Sequence, residues 1–191
     1  MTTAPGVQTA AQLLYVAIDL GQVPEYAYFQ RQVDALGALQ RYCVAIKPPE
    51  ALLDTGGLEG RERWDYLLRP TLQERIAIVR TSMASPWETV LVQLAANSQP
   101  ITVGLGALIG LHKLMRMVME WQTFRQDLKE RREGVRPIDG EDAARLLQAY
   151  SPAQRADTDL HREAQEALTE ISPVVESDMI DPDDPRATGA T

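Results

Sequence analysis

Ile101-Thr-Val-Gly-Leu-Gly-Ala-Leu-Ile-Gly-Leu111 closes a stretch, Thr89 to His112, that contains no Asp, Glu, Lys or Arg. Lys113, Arg116, Arg125, Lys129, Arg131, Arg132 and Arg136 follow directly. An apolar, small-residue segment ahead of a basic one is built to be covered by a core, another subunit or lipid. From Ile101 to about Glu133 the spacing reads as one helix, roughly 48 Å long at 1.5 Å per residue. Its first half is apolar nearly all round. Its second half is amphipathic, with Leu111, Leu114, Met115, Val118, Trp121 and Leu128 on one stripe.

Two functional readings start from this helix. In the first, Val103, Leu105, Leu108, Leu111, Leu114, Met115, Val118 and Trp121 form the docking surface of a non-catalytic assembly module. Its partner is a second copy or another protein. In the second, residues 101–111 insert into an anionic membrane surface, with Lys113, Arg116, Arg125, Lys129, Arg131 and Arg132 on the headgroups. Such a protein is cytoplasmic, or peripheral to the inner face of a membrane. A complete span is disfavoured. Pro100 cuts the uncharged window, and Lys113 and Arg116 each cost about 2–3 kcal/mol near a bilayer centre. Gly106-Ala-Leu-Ile-Gly110 permits close helix packing in either setting.

Working outward, Gln12-Leu-Leu-Tyr-Val-Ala-Ile18 is a short apolar run of strand formers, and Glu74 to Met83 is a second. The two are expected to pair. Between them, Tyr26, Phe29, Val33, Leu36, Leu39, Cys43 and Ile46 mark a helix entered at Pro24 and ended by Lys47-Pro48. A short helix is expected over 59–68. Ser85-Pro86-Trp87-Glu88 has the order of a capping box, which favours a helix over 86–96. The alternation of Val90, Val92 and Leu94 supports a hairpin strand instead. Asp139 is placed to cap a helix over 141–149. Ser151-Pro152 opens another, to about Ile171, with a thin stripe of Ala156, Leu160, Ala164, Ala167, Leu168 and Ile171. Residues 172–191, rich in proline and acid with Arg186 as their only basic residue, read as disordered.

The expected fold class is therefore α+β. A flexible arm (1–10) precedes a module over 11–84, with two or three strands and one amphipathic helix. An apolar-to-basic helical segment (85–133), a charged helical extension (134–171) and a disordered acidic tail (172–191) follow. The chain has 191 residues, 45% of them hydrophobic, enough for one core of ordinary size. Net charge is −8, distributed as −2 through residue 112, +3 over 113–136 and −9 beyond. An acidic total disfavours nucleic acid as a partner, since phosphate binding needs a basic face. A solvated tail is the default expectation, and the opposite signs of the last two segments also allow it to fold back on 113–136 and mask it.

Catalytic signals are weak. Cys43 is the only cysteine, which excludes an intramolecular disulfide and a Cys-rich metal site and fits a reducing compartment. Its place on an apolar stripe makes it a core residue. His112 reads as a packed or interfacial histidine and His161 as a solvated one, and neither has a metal ligand at the required spacing. Met115, Met117 and Met119 scatter around the helix axis and read as core filler. Gly104, Gly106 and Gly110 miss the dinucleotide fingerprint by one residue. Asp178, Asp181, Asp183 and Asp184 lack the spacing of a calcium loop. No cofactor or metal is expected. An enzyme would need carboxylates such as Asp19, Glu25 and Asp65 to meet in a cleft.

Overall fold

The computed structural model describes residues 12–21, 24–46, 75–82, 84, 86–94, 106–129, 138–151 and 159–189. The expected arm at 1–10, the helix at 59–68 and the first turn at 101–105 lie outside them.

β1 (Leu13–Ile18) is buried at every position. A strand with a near-continuous apolar run needs cover on both faces and partners on both edges, and β1 has both. β2 (Arg75–Ser82) and β3 (Trp87–Leu94) form a hairpin, and β4 (Val174–Ile180) lies on the other side. The antiparallel sheet runs β2-β3-β1-β4. Tyr15 stands opposite Val90 on one side and Asp178 on the other. The α+β class holds, but β1 and β2 do not pair, because β3 separates them. Two of the four strands lie outside the 11–84 boundary.

The segment 87–94 is strand rather than helix. Thr89 and Leu91 are fully buried and so is Val90 behind them, so both faces of β3 are covered and periodicity loses its power to discriminate. Side chains reinforce the hairpin: Trp87 Nε1 donates to Thr81 Oγ1 at 2.7 Å. Residues 174–180 are likewise strand rather than disordered tail. Val174 and Ile180 are buried, and Glu176 and Asp178 are held by Arg186. Counting acids as solvated missed that pairing.

α1 (Tyr26–Ala45) buries Leu36, Leu39 and Cys43 of the expected stripe, with Ile46 just beyond its end; Tyr42 is buried beside them, whereas Tyr26 in the first turn is 75% exposed. α2 (Gly106–Lys129) packs beside it on the same face of the sheet. α3 (Gly140–Tyr150) starts as expected: Asp139 accepts from the backbone N–H groups of Glu141 and Asp142. Ser151 ends this helix, its N–H donating to the Leu147 carbonyl. α4 (Asp159–Glu170) buries His161, Ala164, Ala167 and Leu168. α5 (Pro185–Thr188) is a single turn capped by Asp184.

Amide side chains join the layers. Gln32 on α1, 1% exposed, donates to the Glu170 carbonyl and accepts from the Ser172 N–H, fixing the exit of α4. Gln93 on β3, fully buried, accepts from the Leu108 N–H in the first turn of α2. Gln122 accepts from the Val174 N–H at the start of β4. Each gives a backbone group at an element end the partner that burial would deny it. The main core runs through β1, β3, β4 and α1 to α4. A smaller apolar cluster, with Leu13, Tyr15, Ala17, Val90, Val92 and Ile180, lies on the opposite face of the sheet.

Candidate functional site

Leu108, Leu111, Leu114, Met115 and Val118, expected to form a docking surface, are fully buried in the chain's own core. They face the sheet and α1, so they hold the fold and are not open to a partner. A charge at Leu111 would disrupt folding before it could report on an interface. Trp121 is half-buried against the same core. Val103 and Leu105 lie outside the described residues. Of the basic flank, Lys113 is half-buried and Arg116 is exposed, 3.5 Å from Glu120. The side chains of Arg125, Lys129, Arg131 and Arg132 lie outside the described residues.

The solvent side of α2 carries what remains. Ile109 is 39% exposed and Phe124 60%. Beside Phe124 lies an open hollow of about 390 Å³, lined by Arg116, Met119, Glu120, Thr123 and Phe124, with Ile109 outside it toward the start of the helix. At 100° per residue, Ile109, Arg116, Glu120 and Thr123 fall on one face of the helix, with Phe124 at its margin. The sequence stripe was drawn from the apolar residues that pack inward, which is why this outward face was missed.

Cys43 is fully buried, and burial pushes its thiol up to about 12, with the Tyr150 hydroxyl 3.6 Å away as donor. It is core, and its thiolate is suppressed at neutral pH. His161 is not solvated: it is 4% exposed, with Nδ1 3.4 Å from the Tyr42 hydroxyl. Its helix is charged on one side only, and His161 lies on the other with Ala164 and Leu168. His112 is partly buried and its Nδ1 lies 3.0 Å from Ser177 Oγ, linking α2 to β4. Burial, with Arg116 second, lowers its pKa below the usual histidine value. Asp19 turns the chain at Gly21, accepting from its N–H, and Glu25 stands at the entrance of α1. Asp65 lies outside the described residues.

A second constellation lies on the far face of the sheet. Arg186 reaches Glu176 at 2.6 Å, Asp178 at 3.0 Å and Asp184 at 2.8 Å. Its guanidinium carbon stands 5.0 Å from the centre of the Tyr15 ring. The Tyr15 hydroxyl is pushed up to about 12 by burial first, then by Glu88 and Glu176. The acidic residues at 176, 178 and 184 therefore meet Arg186, while β4 itself packs against α2, joined by Gln122 and His112. The sequence signal was present: one arginine among the acids of 172–191.

Among the described residues no group of three or more His, Cys, Asp or Glu is placed to hold a metal ion. No described helix is long and apolar enough to cross a membrane. No family model, curated protein or solved structure matches the chain.

Proposed function

We propose that this protein is a non-catalytic assembly module that pairs with a second copy of itself through the solvent side of α2. The observation that carries the reading is an exposed helix face with Ile109 and Phe124 toward its two ends and Arg116 and Glu120 between them. Arg116 and Glu120 lie one turn apart. About a two-fold axis, Arg116 of one copy meets Glu120 of the other, and Phe124 covers the far copy's Ile109 end. Self-complementarity of this kind is what an isologous dimer requires. Burying Phe124, Ile109 and Met119 contributes roughly 25 cal/mol per Å² of apolar area, and the ion pairs set orientation more than affinity. Insertion of 101–111 into a membrane surface is the weaker reading, since Leu108 and Leu111 would have to leave the core.

Light scattering coupled to size exclusion, on the full chain over a range of concentrations, tests this directly. Wild-type protein should approach twice the chain mass as concentration rises. Phe124→Asp should stay at the chain mass with an unchanged far-UV circular dichroism spectrum. A wild-type protein that is monomeric throughout, or a dimer that survives Phe124→Asp, would remove the proposal.

A further inference from the structure

Residues 181–189 leave β4, turn, and come back across the outer face of the sheet. The Asp184 N–H donates to the Asp181 carbonyl, and α5 follows under its Asp184 cap. Ala187 packs against the small apolar cluster of Tyr15 and Val90. Arg80 on β2 donates through Nη1 to the Arg186 carbonyl at 2.7 Å. Gly189 has φ 75°, and a Cβ there would come within 3.0–3.1 Å of the Arg80 guanidinium. The segment thus starts at the β4 edge, lies over β1, and is reached from β2 by the Arg80 side chain.

Its charged anchor is the Arg186 side chain, beside the Arg80 hydrogen bond and the packing of Ala187. Asp184 on the segment itself accepts from Nε and Nη2 of Arg186, and the groups Arg186 reaches on the sheet stand in register: Tyr15 is opposite Asp178, and Ala17 is opposite Glu176. The Tyr15 ring and the two carboxylates therefore share a face through strand pairing alone. A planar guanidinium fits this set because it can stack on a ring while forking to carboxylates. An ammonium cannot do both. Glu88, beside the Tyr15 hydroxyl, adds negative charge, and Arg80 is turned toward the backbone of the returning segment.

We propose that residues 181–189 are an autoinhibitory strap. Arg186 fills in cis a guanidinium site built by Tyr15, Glu176 and Asp178, and that site takes an arginine side chain of a partner protein when the strap lifts. This site lies on the opposite side of the sheet from α2 and does not depend on the dimer. Because the strap is tethered, its arginine competes at high effective concentration. A free arginine ligand therefore binds the intact chain more weakly than its intrinsic affinity.

The test is a titration of acetyl-arginine methylamide and acetyl-lysine methylamide into isotopically labelled full-length protein, wild type and Arg186→Ala, followed by amide chemical shifts. Arg186→Ala should show saturable shifts along 13–18 and 174–180 with the arginine probe, about ten-fold tighter than wild type or better. The lysine probe should produce none. No saturation in the variant, equal response to lysine, or equal affinity in wild type would each overturn the proposal. A second measurement needs no variant. The Ala187 and Thr188 N–H groups donate to the Asp184 carbonyl, and the Gly189 N–H donates to the Pro185 carbonyl. Their hydrogen exchange in wild type should accelerate with the arginine probe and not with the lysine probe, and an unchanged rate would also overturn it.

Discussion

The two faces of the sheet are held by different physics. The inner face lies under α1 and α2, with Leu14, Val16, Ile18 and Leu91 set against Leu36, Leu39, Leu111 and Met115, all fully buried or nearly so. The outer face carries a much smaller apolar cluster, and the segment lying on it is fastened by Arg186 to Glu176 and Asp178 and by the Arg80 hydrogen bond. Apolar burial is insensitive to salt and pH, whereas partly exposed ion pairs are weakened by both. The inner side of the sheet is thus held by apolar packing and the outer segment largely by charge.

The largest test of that contrast is on the inner face. Leu111→Ala should cost about 3–5 kcal/mol in urea unfolding, as expected for a fully buried leucine in a close-packed core. On the outer face, Arg186→Ala should cost only about 1 kcal/mol, since its partners stay partly hydrated. Its effect should appear as faster hydrogen exchange confined to 181–189, with the protection of α1 and α2 kept. Global loss of protection would show that the two faces are one cooperative unit. The smallest effect is at the joint between α2 and β4. The folded-state pKa of His112 is lowered, so the unfolded chain takes up the proton first as pH falls. The stability that His112 contributes is complete above its unfolded value of about 6.5 and declines as pH drops below it. His112→Gln should flatten the stability profile between pH 7 and 5. An unaltered slope would place the pH dependence elsewhere.

Elements whose residues act through local rules were legible in the sequence. β1 was readable because a bounded run of strand formers has few alternatives. The Asp139 cap and the α1 stripe were readable because each depends on spacing within one helix. The rest failed where the deciding partner is distant in sequence. Trp87 to Leu94 is a strand because β1 lies beside it. Glu176 and Asp178 belong to a strand because Arg186 returns to them and Val16 and Tyr15 pair with their neighbourhood. Gln32 and Gln93 looked like ordinary polar positions, since the backbone groups they satisfy lie on other elements. The apolar residues of α2 were recognised as needing cover, but one sequence does not say whether that cover comes from the same chain. The outward groove around Phe124 was invisible for the same reason.

The pairing of β1 with β4 also sets an order in time. Leu13 pairs with Ile180, so one edge of the central strand waits for a segment translated long after it. At about 5–20 residues per second that delay is roughly ten to thirty seconds. Throughout it, Leu14, Tyr15 and Val16 present an apolar strand with an unfilled edge, the kind of template on which nascent chains stick to one another. Pairing with residues 174–180 is what closes that edge.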